Sequence, residues 1–201
     1  MVSVLSDARD RGFLGPGPVQ DQMERSLGFL AFANSGTQAL DLGSGGGLPG
    51  LALAMALPAC CWYLVDSNQK RADWLRTAVA SLGLEGRCQV VCGRAEQVSR
   101  TPLRGTFDLV TARSFGPPAA TAECAAAFLR TGGDLVVAEP PTGASGRWPA
   151  TGLELVGLAM GGNKVIPTAA GPVTLTRLVV TSVCPDKYPR RVGMPFKRPL
   201  F

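Results

Sequence analysis

The 201-residue chain contains no histidine. That absence removes imidazole bases, Ser-His-Asp triads and Cys-His nucleophile pairs from the available chemistry. The six cysteines, at 60, 61, 88, 92, 124 and 184, include no Cys-x-x-Cys unit. No zinc-type spacing exists, no metal is expected, and the thiols read as buried and reduced. Charged residues are only 17% and aromatics 6% of the chain. The first residues, "MVSVLSDARDRGFLG", lack the apolar core of a secretion signal. Gly47 to Val65 is free of charge, but Pro49, Gly50 and Pro58 interrupt it. It reads as a helix, 51–57, a turn and a buried strand, 61–65, rather than as a membrane span. A cytoplasmic protein with no membrane partner is expected, and a monomer.

The formal charge is +5, matched in number by five cations near the C-terminus: Lys187, Arg190, Arg191, Lys197 and Arg198. A concentrated basic tail suits a polyanion, nucleic acid first, although a solvated tail serves solubility equally well. Tyr188 and Phe196 lie among these charges, and Pro189, Pro195 and Pro199 suggest an extended strap.

Strand and helix patterns alternate from residue 38 onward. "QALDL" leads into a glycine-rich turn and helix, and a second strand ends at Asp66. "NQKRADWLRTAVASLGL" places Ala72, Leu75, Val79 and Leu82 on one helical face, with Gly83 as its stop. "CQVVC" and "FDLVTARS" supply strands three and four. An alanine-rich helix, 119–129, then turns at "TGG" into strand five, "DLVVAE". "LELVGLAM", "NKVIP" and "VTLTRLVVTSV" read as strands without long helices between them. These patterns predict an α/β domain, its sheet mainly parallel with an antiparallel end. Residues 1–37 form a separate N-terminal helical segment, with helical spacing at Val19, Met23, Leu27 and Leu30.

The loop "LDLGSGGGLPGLALA" carries the chemistry. A strand, a glycine turn and a helix offer backbone N–H groups to a ligand at close range. No Gly-Lys-Ser/Thr follows, so a P-loop is excluded. Gly45, Gly47 and Gly50 satisfy Gly-x-Gly-x-x-Gly, with Asp66 placed for ribose hydroxyls, as in dinucleotide sites. The frame Asp41-x-Gly43-x-Gly45-x-Gly47 instead resembles the first motif of class I S-adenosylmethionine-dependent methyltransferases. "GRAEQV", "FDLVTARS" and "LRTGGDLVV" match the later motifs of those enzymes, and a dehydrogenase would need a second substrate region for which this chain lacks room.

A narrower resemblance lies in Leu48-Pro49-Gly50 after the glycines, "DSNQKRADWLR", "GRAEQV", "VTARSFGPP" and the closing "DKYPRRVGMPFKRPL". Residues 38–200 resemble, in order, the ribosomal RNA small subunit methyltransferase G family, also called glucose-inhibited division protein B. Two features depart from that family. Its Asn-Leu-Thr and His-Asp-Ser-Leu elements are missing from the N-terminal segment, and "AEPPTG" stands where it usually has a lysine and a glycine. The resemblance implies a Rossmann-like methyltransferase fold with a seven-stranded sheet and helices on both faces, spanning residues 38–201. It implies S-adenosyl-L-methionine as cofactor, bound by Asp41, Gly43, Gly45, Gly47, Leu48, Asp66, Ala95, Glu96 and Arg113. It implies 16S rRNA or the 30S subunit as partner, touched by Arg113, Lys187, Arg190, Arg191, Lys197 and Arg198. The implied reaction is N7-methylation of a guanine in the 530 loop. Other expectations are a diverged small-molecule or protein methyltransferase and a non-catalytic binder of S-adenosylmethionine or RNA. Guanine N7 has an in-plane lone pair and no proton, so alignment suffices and a chain without histidine can perform the transfer. No catalytic residue is assigned. Phe115 is a candidate for base stacking, and Glu139 or Asp41 for steadying the charge on the methylated purine.

Overall fold

The computed structural model describes residues 1–33 and 37–201. The end of the expected N-terminal segment, at 34–36, lies outside the described residues. The elements run α1 (Val2–Asp10), α2 (Val19–Leu27), a short 3-10 helix (Gly28–Phe32), β1 (Gln38–Leu42), α3 (Gly50–Ala56), β2 (Cys61–Asp66), α4 (Gln69–Ser81), β3 (Cys88–Cys92), α5 (Ala95–Val98), β4 (Phe107–Ala112), α6 (Pro118–Ala126), β5 (Leu129–Ala138), α7 (Ala150–Glu154), β6 (Leu158–Ile166), β7 (Val173–Val180) and α8 (Met194–Lys197). One seven-stranded sheet has the order β3-β2-β1-β4-β5-β7-β6. The five strands on the β3 side are parallel, and β7 runs antiparallel to both β5 and β6.

Alternation along the strands divides the apolar residues between the two faces of the sheet. Ala39, Leu64, Leu109 and Val136 pack with α3 and α4 through Leu51, Leu53, Leu75 and Val79. Leu40, Leu42, Val110 and Leu135 pack with the alanines of α6. The N-terminal segment joins the first layer. Leu5 and Val19 cluster with Leu48 and Ala52, and Asp7 accepts from Trp74 Nε1 of α4 at 2.7 Å. The uncharged stretch 47–65 folds as helix, turn and strand, and among the described residues no helix is long and apolar enough to cross a membrane.

Two sequence expectations change. "TGG" does not end a helix: α6 stops at Ala126, and Thr131 to Gly133 lie inside β5, where the pairing register with β4 shifts. From the pair Phe107–Leu129 to the pair Leu109–Asp134, β5 advances five residues against two in β4, and Gly132, at φ +79°, lies among the three extra residues. Further on, "LELV" is not a strand. Leu153 and Glu154 end α7, while "LAM" and "NKVI" belong to one strand, β6, broken in register near Gly161 and Gly162. Short apolar runs do not distinguish strand from helix, and only pairing with β7 decides.

α6 is buried on every side, and such a helix needs cover beyond the sheet. The C-terminal strap supplies it. Glu123 of α6 has a fully buried side chain and accepts from the backbone N–H of Arg190 at 2.7 Å and from its Nε and Nη2 at 2.9 and 2.6 Å. Arg100 donates to Pro189 O at 2.6 Å, and Arg104 to Tyr188 O and Cys184 O at 3.0 and 2.9 Å. Removing one partner strands a buried charge. Arg190→Ala is therefore expected to lower unfolding free energy by about 3 kcal/mol, while Arg191→Ala shifts it by less than about 0.5 kcal/mol. Urea melts compare the two, and equal losses would contradict the anchoring role.

Candidate functional site

The parallel strands end along one edge, at the crevice where β1 separates chain connections running in opposite directions, the usual ligand position in such sheets. The glycine loop there is stitched to the end of β2. The N–H groups of Gly43 and Ser44 both donate to Val65 O, at 2.8 and 3.0 Å, and Gly45 N donates to Asp66 Oδ2 at 2.8 Å. Asp66 Oδ1 accepts from Asn68 N at 2.8 Å. Gly43 has φ +74°, and a Cβ on it would lie 2.7 Å from Phe115 Cδ2. Only glycine allows both that turn and that approach.

A cleft of about 270 Å³ opens at this edge, lined by Leu42, Gly43, Asp66, Arg71, Gly93 to Glu96, Ser114, Phe115 and Phe196, among others. Gly43, Asp66, Ala95 and Glu96 thus meet in one place, as expected. An acid at a strand tip, an exposed backbone turn and an aromatic wall suit an adenosine-bearing cofactor. Glu96 is buried, and its Oε1 accepts from Gly193 N at 2.9 Å. The strap therefore reaches the cleft. Its Phe196 ring lies 5.7 Å from that of Phe115 and 5.9 Å from the Arg94 guanidinium.

Other expected residues lie elsewhere. Asp41 is 1% exposed and does not line the cleft. Its Oδ1 accepts from Thr111 Oγ1 at 2.9 Å and its Oδ2 from Gly50 N at 3.1 Å, so it braces the loop from beneath. Gly45 and Gly47 shape the turn, at φ +52° and +88°, without lining the cleft. Leu48 packs its side chain against the N-terminal helices. In the strap, Lys187, Arg191, Lys197 and Arg198 are exposed, whereas Arg190 is tied to Glu123 and Tyr188 is buried.

A larger pocket, about 720 Å³, adjoins the cleft and shares Ser114 and Phe115 with it. Ser114 stands at φ +56°, a conformation rare outside glycine. Arg25, Arg113, Arg147, Glu139, Trp148 and Pro140 are among its lining residues. Arg113 follows β4 and belongs to this pocket rather than to the cleft. Its Nη1 donates to Ser26 Oγ at 2.9 Å and its Nη2 to Gln22 Oε1 at 3.1 Å. Burial pushes its pKa down, and the nearby Asp41 pulls it back up. The apolar spacing 19-23-27-30 conceals this contact. The buried positions of α2 and its continuation include Val19, Gln22, Ser26 and Phe29, while Leu30 is exposed. That second set is also helically spaced, but two of its members are polar and carry no signal of their own. Arg147 and Trp148, which bond Glu139, carry none in the sequence either.

Among the described residues no cluster of histidine, cysteine or acids could hold a metal. Among the described residues the cysteines form no disulfide. Burial raises the Cys88 thiol to about 11 and raises those of Cys124 and Cys184 as well, so these three are inert at neutral pH.

Burial raises the Asp41 carboxyl from 3.8 to about 6, against the lowering effects of its hydrogen bonds and of Arg113. A raised carboxyl pKa means that the folded state holds a proton the unfolded chain releases, so stability is lost as pH rises from 3.8 to about 6. Asp41→Asn removes that loss. Its melting temperature relative to the native chain is expected to climb across this window, and a difference flat with pH would contradict the shift.

Comparison with known proteins agrees with this geometry. The family model for rRNA small subunit methyltransferase G matches residues 19–139. A ribosomal RNA small subunit methyltransferase G of Prochlorococcus marinus is 34% identical over 195 residues, covering 91% of this chain and 71% of the relative. The protein of that name from Syntrophomonas wolfei is 32% identical, covering 92% and 87%. Against the protein of that name from another Prochlorococcus marinus strain, 32% identical, the match covers 80% of this chain but 66% of the relative, about two thirds of its length. Among solved structures, a SAM dependent methyltransferase from Aquifex aeolicus superposes with a TM-score of 0.62 at 16% identity, over 88% of this chain and 98% of that one. A mitomycin 7-O-methyltransferase superposes at 0.60 and 18% identity, over 82% and 55%. These two likenesses concern the fold, a Rossmann-like class I methyltransferase sheet. With the motifs, the cleft and the family match in agreement, the chain belongs to the family of ribosomal RNA small subunit methyltransferase G.

Proposed function

We propose that this chain transfers the methyl group of S-adenosylmethionine to N7 of a guanine in the 530 loop of 16S rRNA, in the cytoplasm. The observation that carries the reading is the shared wall. The cleft that suits the cofactor and the pocket that can admit a base meet at Ser114 and Phe115. Bound in the cleft, the cofactor supplies an electrophilic sulfonium methyl. Asp66 accepts hydrogen bonds from the ribose hydroxyls, with Gly45 N–H holding the carboxylate in place. Gly43 faces the methionine part, on a turn that Gly45 and Gly47 shape. Ala95 N–H and the Glu96 side chain address the adenine, and Phe196 closes that side. The reaction needs no general base, which agrees with a chain that has no histidine.

Lys187, Arg191, Lys197 and Arg198, exposed on the strap, neutralise phosphates and position the RNA without reading its sequence. Arg190 stays with the fold. Arg113 lines the base pocket, held by Gln22 and Ser26.

Mass mapping of 16S rRNA from cells with and without the gene tests the reading. One 7-methylguanine in the 530 loop is expected to vanish without the gene and to return with the native protein. Asp66→Ala is expected to restore less than about a tenth of it, since it loses both the ribose contact and the Gly45 tether. Unchanged rRNA would direct attention to a small-molecule or protein acceptor.

A further inference from the structure

Resting on that reading, we propose that Arg25 and Arg113 together grip a backbone phosphate flanking the acceptor guanosine, so that the larger pocket holds the nucleotide by its phosphodiester as well as by its base. Both arginines line the pocket of about 720 Å³, which adjoins the cofactor cleft at Ser114 and Phe115. Arg25 is exposed and Arg113 partly exposed.

The two cations lack a counter-ion. Among the described residues, no carboxylate forms an ion pair with either guanidinium, not even Asp21, one turn before Arg25 on α2. Arg25 lowers the proton affinity of Arg113, as a neighbouring like charge does. Asp41 offsets this from a distance, but it is 1% exposed and its oxygens accept from Thr111 and Gly50. The other charged lining residues, Glu139 and Arg147, pair with each other. The Glu139 side chain is fully buried and accepts from Arg147, Trp148 and Thr176, so it faces no ligand. The pocket is left with two positive charges in excess, and an anion relieves their repulsion.

Both forks are held in place and keep donors in reserve. A guanidinium has five N–H donors. Arg25 donates from Nε and Nη2 to Ala170 O at 3.0 and 2.6 Å, and its Nη1 has no acceptor among the described residues. Arg113 donates from Nη1 to Ser26 Oγ and Gln22 O at 2.9 and 3.3 Å, and from Nη2 to Gln22 Oε1 at 3.1 Å. Its Nε has no acceptor among the described residues. Every partner of the pair is a neutral oxygen, which orients the charge without cancelling it.

The reaction itself favours phosphate over base as the ligand of these forks. Arginine meets guanine best at O6 and N7. That contact would occupy the lone pair that must attack the sulfonium methyl. Two unbalanced cations beside the ring would also oppose the positive charge that methylation creates. A phosphodiester removes both conflicts, because it engages the forks and brings the negative charge in with the substrate. Phosphate contacts fix register and orientation, and this one fixes the nucleotide whose N7 must be aligned.

The test uses the full chain and 30S subunits from cells lacking the gene. Arg25→Gln keeps a donor for Ala170 O and removes the charge. It is expected to raise Kd for subunits about tenfold and to flatten the slope of log Kd against log salt by about 0.7 to 1, the share of one phosphate. Affinity for S-adenosylmethionine is expected to stay within about threefold of native, because Arg25 does not line the cleft. A second measurement places a neutral methylphosphonate on the 5′ or the 3′ side of the target guanosine in reconstituted subunits. At one of the two positions it is expected to weaken binding of the native protein about tenfold and of the Arg25→Gln protein less than about twofold. Native affinity and salt slope in Arg25→Gln, or equal losses for both proteins at both positions, would overturn the proposal. Native binding untouched by methylphosphonate at either position would overturn it even if Arg25→Gln failed to fold. A native protein that shows this phosphate coupling but transfers no methyl group to unmodified subunits would bear out the grip and defeat the guanine-N7 reading.

Discussion

Three backbone N–H groups, those of Gly43, Ser44 and Gly45, hold the glycine loop against Val65 and Asp66 at the end of β2. The geometry of the site depends on these bonds. They bring the turn after one strand to the tip of its neighbour, so that the backbone at Gly43 and the Asp66 carboxylate line the same cleft. Asp41 braces the loop from below through Gly50 and Thr111, and Leu14 covers it from above, close to Gly46. Phe115 lies against Gly43 and so forms the partition between the cleft and the larger pocket. A side chain at residue 43 would push that partition aside.

The C-terminal strap joins two tasks along one short segment. Arg190 is committed to Glu123, the charge that the buried helix α6 cannot leave unpaired. Gly193 and Phe196 then carry the strap to the cofactor cleft, and Lys197 and Arg198 continue outward as exposed cations. Exposed cations and a wall of the cleft are therefore neighbours in space as well as in sequence. The N-terminal segment plays a comparable part on the other side, where Gln22 and Ser26 hold Arg113 at the larger pocket.

Much of this is legible in the sequence where local pattern and motif coincide. The strands Cys88–Cys92 and Phe107–Ala112 fall where their alternation predicts, and Gly43, Asp66, Ala95 and Glu96 converge as the motif frame implies. What escapes depends on partners distant in sequence. Thr131 to Gly133 look like a turn because glycines mark turns, yet pairing with β4 keeps them inside a strand. "LELV" has strand composition, but it lies at the end of α7. Arg190 and Arg191 are adjacent and chemically alike, and only the buried Glu123, 67 residues away from Arg190, distinguishes them. Glu139 shows in the sequence as an acid before two prolines. Its three donors come from an adjoining loop and from β7.

The central claim is that the acceptor is an in-plane ring nitrogen, aligned across the Ser114–Phe115 partition and methylated without a base. The most direct measurement is methyl transfer to 30S subunits reconstituted with 7-deazaguanine at the target position, beside subunits carrying guanine. Carbon replaces N7 in the analogue, while the N1–H, 2-amino and O6 groups remain. Transfer to guanine with none to the analogue, at comparable subunit binding, is the predicted result. Methylation of the 7-deaza subunits at the same nucleotide would place the acceptor elsewhere and contradict the account.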